Sequence, residues 1–583
     1  MTMAEVITDN LDLWTSALLT KSTAGRGSNG KLEAYGIKKL RELILELAVR
    51  GKLVPQDQSD EPARELLKRV AADKAKMVKE GKIRKEKDFP AITDEEIPFN
   101  VPGGWEWARI NDVGHDWGQK TPDAKFIYID VSAIDNTAGV ISSPGLLSAA
   151  DAPSRARKIV TKGTVIYSTV RPYLKNICVI EEDYSPEAIA STAFAVLHPF
   201  QDMPGKFFAL YFRSPEFVKY VEKVQTGIAY PAINDKQFYG GLVPIPPSAE
   251  QHRIVAKVDE LMALCDQLER QQTDRLAAHQ TLVETLLGTL TRVASQQEFN
   301  VAWARIANHF DTLFTTEASI DQLKQTTLQL AVMGKLVPQD PNDVPASVLL
   351  KRIQVEKAKL IAEGKIKKDK PLSPVADEDK PITQPPGWEW VRLGEIAETI
   401  RGVTYGKSEA SDVPQANYVP LLRGNNINQT LNFDNQVFVP KQLLNDAQYV
   451  KAGDIVIAMS SGSADLVGKA AQATEDFEGG FGAFCGVIRP VSDELHSYFG
   501  FFFQTPLYRN RAAGHGKGIG INNLQKTALQ TLEIPLPPLD EQHRIVAKVD
   551  ELIALCDALK ARIQDAQTTQ IHLADAIVEQ AVC

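Results

Sequence analysis

Glu250-Gln-His-Arg-Ile-Val-Ala-Lys-Val-Asp-Glu-Leu261 recurs letter for letter as Glu541 to Leu552, and Ala-Leu-Cys-Asp follows each copy one residue later. Upstream, Leu47-Ala-Val-Arg-Gly-Lys-Leu-Val-Pro-Gln-Asp57 returns as Leu330-Ala-Val-Met-Gly-Lys-Leu-Val-Pro-Gln-Asp340, and Gly104-Trp-Glu-Trp107 returns as Gly387-Trp-Glu-Trp390. The first pair is offset by 291 residues (541 − 250), the others by 283 (334 − 51 and 388 − 105). A unit this long is no solenoid repeat, which runs about 20 to 50 residues. It is a duplicated domain pair, in which matching frames hold inserts, residues 108–243 and 391–534, that share almost no sequence. Similar scaffolds around different inserts imply two readers of two different things.

The repeated stretch is helical. Its apolar positions fall at Ile254, Val258, Leu261, Cys265 and Leu268, and in the second copy at Ile545, Val549, Leu552, Cys556, Leu559 and Ile563. Steps of four and three make a heptad seam. Pro244-Ile-Pro-Pro247 and Pro535-Leu-Pro-Pro538 fix an extended approach, after which Ser248 or Asp540 caps the helix. The seam serves either as a coiled-coil spacer or as packing against a globular core. Identity over so many positions, surface ones included, favours the spacer, and connectivity then gives its geometry: one helix leaves the first insert, the other leaves the second, and paired they run antiparallel. A helix over residues 250–290 spans about 60 Å. Ile37 to Gly51 and Ile320 to Gly334 also read as helices ended by glycine. The C-terminal helix is expected to meet the first of them and close a pseudo-twofold ring. The matched basic segments, Lys68-Arg69 to Lys87 and Lys351-Arg352 to Lys370, are either solvated helix faces or a docking surface. Ser22 to Gly30 reads as a flexible linker within an N-terminal extension.

At 583 residues the chain holds about four domains. A net charge of −9 argues against a uniformly basic nucleic-acid coat but leaves local patches open. The five cysteines lack disulfide or metal spacing, as do the nine histidines. Neither a leader-like N-terminus nor a membrane-length apolar run is present, so a soluble, unexported chain is expected.

Both inserts read as mixed α/β domains. Gly163-Thr-Val-Ile-Tyr-Ser-Thr-Val-Arg-Pro172 is a buried strand ending at Arg171, with Tyr173 and Lys175 just beyond, and Gly453 to Gly462 is its equivalent, carrying Ser460 and Ser461. Strand ends that feed polar loops are where recognition side chains sit. Near each insert's end a glycine-rich turn precedes an Ile-Asn pair. The first, Thr226 to Asn234, holds Gly227 and Tyr230, and the second, Gly514 to Asn523, holds Lys517, Asn522 and Asn523. Such loops admit close backbone approach to a phosphate, although a plain turn with a capping Asn is an equal reading. Arg423-Gly-Asn-Asn-Ile-Asn428 supplies Arg423, Asn425, Asn426 and Asn428, residue types suited to base edges.

Enzyme signatures are missing. A phosphate-cradling loop fails at Gly406-Lys407-Ser408 because Arg401 stands where its first glycine belongs, and no Asp/Asn-Pro-Pro-aromatic tetrapeptide of an amino-methyltransferase occurs. The chain therefore reads as chemically inert, with a coiled-coil protein scaffold or a self-sufficient methyltransferase or nuclease as the competing readings.

The pairing of Pro-x-Pro-Pro with Glu-Gln-His-Arg-Ile-Val and a heptad helix, used twice, with Gly-Lys-Leu-Val-Pro-Gln-Asp ahead of each insert, resembles the specificity subunits of Type I restriction-modification enzymes. The resemblance covers residues 36–583, and the length and N-terminal extension are similar to the Type IB subgroup. It implies two globular DNA target recognition domains, 105–247 and 388–538, separated by long helices in an antiparallel coiled coil. Around them lie the extension 1–35, a first helical and basic region 36–104, a central region 248–387 and the C-terminal helix 539–583. It further implies recognition of a split, asymmetric double-stranded DNA site, two methyltransferase subunits and a restriction motor as partners, and a cytoplasmic location. S-adenosylmethionine, ATP and Mg2+ would sit on those partners, with no cofactor on this chain.

Overall fold

The computed structural model describes residues 3–20, 32–85, 89–200, 203–227, 229–293, 295–380, 382–462, 466–515 and 522–582. The linker Ser22 to Gly30, Lys87, Ile228 and Lys517 lie outside the described residues. The chain divides into two compact units, one of Met1–Arg275 with Ala566–Cys583, the other of Leu276–Asp565. Both long helices, Ser248–Arg292 and Leu539–Val582, contribute to each unit.

The repeated motifs repeat because they meet. In the first unit Trp105 Nε1 donates to Glu250 Oε2 at 3.0 Å and Gln56 Nε2 donates to Glu250 Oε1 at 2.7 Å. In the second, Trp388 and Gln339 donate to Glu541 at 2.8 and 2.6 Å. Thus one residue from each repeated motif converges on a carboxylate only 1% exposed. Burial pushes the Glu250 and Glu541 carboxyls up, while these hydrogen bonds pull them back. Around them, Gln251 and Gln542 donate to the carbonyls of Pro246 and Pro537, and Arg253 and Arg544 pair with Asp60 and Asp343.

Helix Tyr35–Val49 buries Ile37, Leu40, Leu43, Ile44 and Leu47, a face wide enough for several neighbours. It shares one core with Ile254, Val258, Leu261 and Cys265 of the first long helix and with Ala574 and Ala581 near the chain's end. Tyr35 Oη also donates to Asp575 at 2.9 Å. The C-terminal helix therefore meets this helix as the sequence implies. In the second unit, Val283, Leu287 and Leu290 share a core with Cys556, Leu559, Ile563 and helix Glu317–Val332. The early part of one long helix thus packs with the late part of the other, and conversely, which is antiparallel order. The seam faces a third helix as well as its partner. Leu552 and Leu268 are only half-buried, and Ile545 and Val549 join the core beneath the second insert.

The N-terminal extension forms helices Met3–Thr8 and Leu11–Ser16, and its Val6, Ile7, Trp14 and Ala17 are buried in the core of helix Tyr35–Val49. Gly36 permits this approach, since a Cβ there would lie 2.4 Å from the Trp14 carbonyl oxygen. Ile306, Leu313 and Phe314 fill the corresponding core of the second unit.

Each insert starts and ends on one antiparallel ribbon, Glu106–Arg109 with Leu242–Ile245 and Glu389–Arg392 with Glu533–Leu536. One four-stranded sheet of the first insert runs Ile177–Val179, Val165–Ser168, Phe194–Pro199, Gly114–His115, and a second four-stranded sheet has a parallel pair, Phe126–Ile129 with Ala188–Ser191, at its centre. The second insert repeats the first of these sheets with Ala470–Gln472, Ile455–Ala458, Cys485–Pro490 and Ala397–Arg401, and keeps the parallel pair, Tyr418–Leu422 with Gly480–Phe481, at one edge of a three-stranded sheet completed by Val437–Pro440. Two sequences with little in common therefore share one topology. The offset rises from 283 at the leading ribbon strands (389 − 106) to 290 at the central strands (455 − 165), so most of the extra length precedes Ile455. The basic segments serve the same junction: Lys74 Nζ donates to the Asn111 carbonyl at 2.6 Å, and Lys357 does so to Gly394.

Candidate nucleic-acid interface

In the first unit the strand Val165–Ser168 is buried throughout, and the chain leaves it through Thr169 and Val170. Arg171 and Lys175 then take left-handed conformations, φ +48° and +54°, on either side of the turn Pro172–Leu174. Non-glycine residues there store strain, which tends to cluster at functional sites. The loop carrying Thr226, Gly227 and Tyr230 lies alongside: Thr226 and Ala232 exchange two hydrogen bonds of 2.9 Å, Arg171 N donates to the Pro231 carbonyl at 2.8 Å, and Ile233 N donates to Thr169 O at 2.9 Å. The Arg171 guanidinium stacks 4.9 Å from the Tyr230 ring centre. The fold thus brings Arg171, Thr226, Gly227 and Tyr230 together, with Tyr173 exposed on the neighbouring turn.

Two other candidates are committed within the protein. Asn234 caps helix Asp235–Tyr239 through a reciprocal box with Gln237. Lys175 is half-buried, its ammonium 3.4 Å from the Arg213 carbonyl, and burial holds its pKa below the usual lysine range. Beneath the loop, Lys158 is 3% exposed and bonds Asp116 at 2.7 Å and Asp235 at 3.3 Å. Burial opposes its charge, but the two carboxylates outweigh it and raise its pKa.

In the second unit Ser460–Ser461 pairs with Asn522–Asn523, in the register Ser460↔Asn523 and Ser461↔Asn522, and Ser460 Oγ donates to Asn523 Oδ1 at 2.7 Å. Strand end and post-glycine segment therefore meet here too. The Ile-Asn pairs are nevertheless not equivalents. Leu524 N donates to Met459 O at 2.7 Å, the bond that Ile233 makes to Thr169. Asn234 thus corresponds to Gln525, which precedes helix Lys526–Gln530 as Asn234 precedes its own.

Asn426 is 1% exposed, and its amide is spent inside the loop, donating to the carbonyls of Asn432 and Asp434 at 2.9 and 2.8 Å while its oxygen accepts from Arg423 N. Arg423 Nη2 reaches the Asn435 carbonyl at 2.7 Å. Asn425 and Asn428 remain exposed, and Asn428 opens with Lys469 and Arg509 onto a cleft of about 370 Å³. Sequence reading passed over Phe484, which sits at the tip between strands Gly480–Phe481 and Cys485–Pro490. In the run Phe481-Gly-Ala-Phe484, which crosses from one sheet to the other, only the fold tells which ring faces inward: Phe481 is fully buried and Phe484 is 66% exposed.

Among the described residues no group of three His, Cys, Asp or Glu side chains is placed to hold a metal, and no helix is long and apolar enough to cross a membrane. Cys178, Cys265, Cys485 and Cys556 are buried, and burial pushes the Cys265 thiol up to about 11.

The Type I restriction modification DNA specificity domain family matches residues 102–278 and 385–566. The Escherichia coli Type I restriction enzyme EcoAI specificity subunit is 42% identical over the full length of both chains, and the Escherichia coli EcoEI specificity subunit is 39% identical, also over both full lengths. A solved chain from work on complex assembly and conformational transition of the type I R-M system aligns with TM-score 0.52 and 25% identity, over 83% of this chain and 99% of its own. With the duplicated frame, the paired inserts and these relatives, the chain belongs to the specificity subunits of Type I restriction-modification enzymes, as a non-catalytic DNA sequence-recognition subunit whose catalytic partners are separate chains.

Proposed function

We propose that this subunit reads a split, asymmetric DNA site, one half through residues 105–247 and the other through 388–538, and so directs adenine-N6 methylation and ATP-dependent restriction by its partners. The observation that carries this is the paired strand end: one topology offers Arg171 and Tyr230 in the first unit but Ser460 and Asn523 in the second. One scaffold with different exposed chemistry is what reading two unlike half-sites requires. Tyr173, Thr226, Gly227, Asn425, Asn428, Ser461, Lys517 and Asn522 complete the proposed contact surface.

The long helices would set the distance between half-sites and hold two methyltransferase subunits, with restriction motor subunits joining them in the cytoplasm. S-adenosylmethionine, ATP and Mg2+ belong to those partners. Two modest contacts joined by a stiff spacer discriminate together, each mismatched base pair costing about 1–3 kcal/mol.

Co-expression with the methyltransferase partner, followed by genome-wide mapping of methylated adenines, tests the reading. One bipartite motif is expected, lost on deletion of this chain and retained without the motor subunit. Methylation independent of this chain would overturn it in favour of a protein scaffold.

A further inference from the structure

Tyr230 and Phe484 are 70% and 66% exposed, although the strands beside them are buried. Each flanks the same feature of its unit. In the first unit Thr169 N donates to the Ala193 carbonyl at 2.9 Å, and in the second Met459 N and Ser460 N donate to the Phe484 carbonyl at 2.8 and 3.1 Å. Phe484 therefore occupies the place of Ala193, with offsets of 291 (484 − 193) and 290 (459 − 169). Where the first inter-strand turn carries a methyl group, the opposite loop supplies Tyr230, so each strand end carries a strongly protruding ring, with the less exposed Tyr173 beside it in the first unit.

Neither ring serves the core of its unit. The second unit's turn already spends Phe481 there, fully buried, three residues before it holds Phe484 outward. Both rings also sit on constrained turns. Phe484 is pinned through its carbonyl by two N–H groups, and Gly227, at φ +93°, turns so tightly that a Cβ would lie 2.7 Å from the Tyr230 carbonyl oxygen. Arg171 lies over the Tyr230 ring, which nevertheless stays mostly exposed. A preorganised ring loses little freedom when it is inserted into a partner.

Resting on the DNA-reading function above, we propose that Tyr230 and Phe484 are wedge residues, each placing its ring in the base stack of its own half-site. Hydrogen bonding is left to neighbours such as Arg171, Ser460 and Asn523. An aromatic plane stacks on any base, and an apolar wedge unstacks and kinks a step. Unstacking also lowers the cost of extruding a nearby base, which chemistry on a base within a duplex requires.

The test uses the full chain assembled with its methyltransferase subunits and duplexes bearing the mapped site, with 2-aminopurine placed at one position at a time. The wild-type complex is expected to brighten one probe in each half-site at a position other than the methylated adenine. Phe484→Ala abolishes the rise in the half-site of the second unit only, Tyr230→Ala does so in the other, and Phe484→Trp retains it. Binding by either alanine variant falls roughly 5- to 150-fold, the span of base–aromatic stacking on alanine substitution. An unchanged rise in a Phe484→Ala complex that still binds specifically overturns the wedge, as does a bound wild-type complex with no rise anywhere. Absence of sequence-specific binding by the wild type fails the DNA-reading function itself, and the wedge with it.

Discussion

His115 and His198 face each other across an antiparallel strand pair, and the same positions of the second unit carry Glu398 and Arg489. Thr164 completes the first arrangement at 3.0 Å from His198 Nδ1, while Asp454 completes the second by pairing with Arg489. One cross-strand site is thus neutral in one unit and ionic in the other. His115 packs against Trp117 and Phe200, and burial, then the His198 charge, lowers its pKa to about 4. His198 is lowered by burial as well. Because the folded-state pKa lies below the unfolded one, the unfolded chain binds more protons between about pH 6.5 and 4. Stability is full above that window and falls as pH drops through it, by up to about 3 kcal/mol for His115. Thermal melts between pH 7.5 and 4.5 should show this fall in the first unit, and His115→Phe, which cannot protonate, should flatten it; equal slopes in variant and wild type would refute the assignment. The histidine pair was invisible in the sequence because 83 residues (198 − 115) separate its members and only strand register joins them. The same limit applied to Asn234 and Asn522, matched by letters but not by backbone, and to Phe484, whose exposure depends on how the chain turns from one sheet into the other.

The long helices were the most legible elements, since a heptad seam needs only local periodicity. What the seam faces was less legible. Ile254, Val258, Leu261 and Cys265 pack on helix Tyr35–Val49 as well as on the C-terminal helix, a three-helix arrangement that a two-helix reading cannot supply. The extension's part was not legible at all, because unrelated residues do the same work, Trp14 in one unit and Leu313 and Phe314 in the other. Between the packed ends the first long helix buries no residue from Glu269 to Leu282, nor does the second from Asp557 to Leu573. Leu559 and Ile563 still pack against the core of the second unit, but Glu269 to Leu282 and Gln564 to Leu573 join no core, so their length is free to be a measuring device. Seven residues added to each, after Arg275 and after Asp565, lengthen the helices by about 10 Å, roughly three base-pair steps. Methylome mapping with this variant should return the same half-sites around a longer spacer. An unchanged spacer would remove the measuring role, and loss of both half-sites would show that the helices do more than space them.

The duplication was legible across the whole molecule because the frame is written twice, and the structure gives the reason: buried Trp105 and surface Gln56 both donate to the buried Glu250 carboxylate, so losing any one of the three strands a buried polar group. The inserts' strand-end loops meet largely through backbone hydrogen bonds such as Arg171 N to Pro231 O, which any side chain can keep, so their exposed side chains are free to diverge. They are not free where they touch the frame. Val49, Ala63, Leu66 and Val70 share a core with Ile110, Val113, Phe208, Phe217 and Val243, so the frame continues into the insert that it carries. Exchange of residues 108–243 for those of a relative should therefore succeed only when the donor keeps this inward set. A donor that alters it leaves cavities or clashes, each costing about 1–5 kcal/mol. With a matching donor, adenine mapping should show one half-site replaced by the donor's while the other half-site and the spacer persist. A change in both half-sites would mean that the recognition surfaces are coupled and would sink their independence. Loss of all methylation by a folded, assembled hybrid would instead place part of the partner-binding surface inside the exchanged segment.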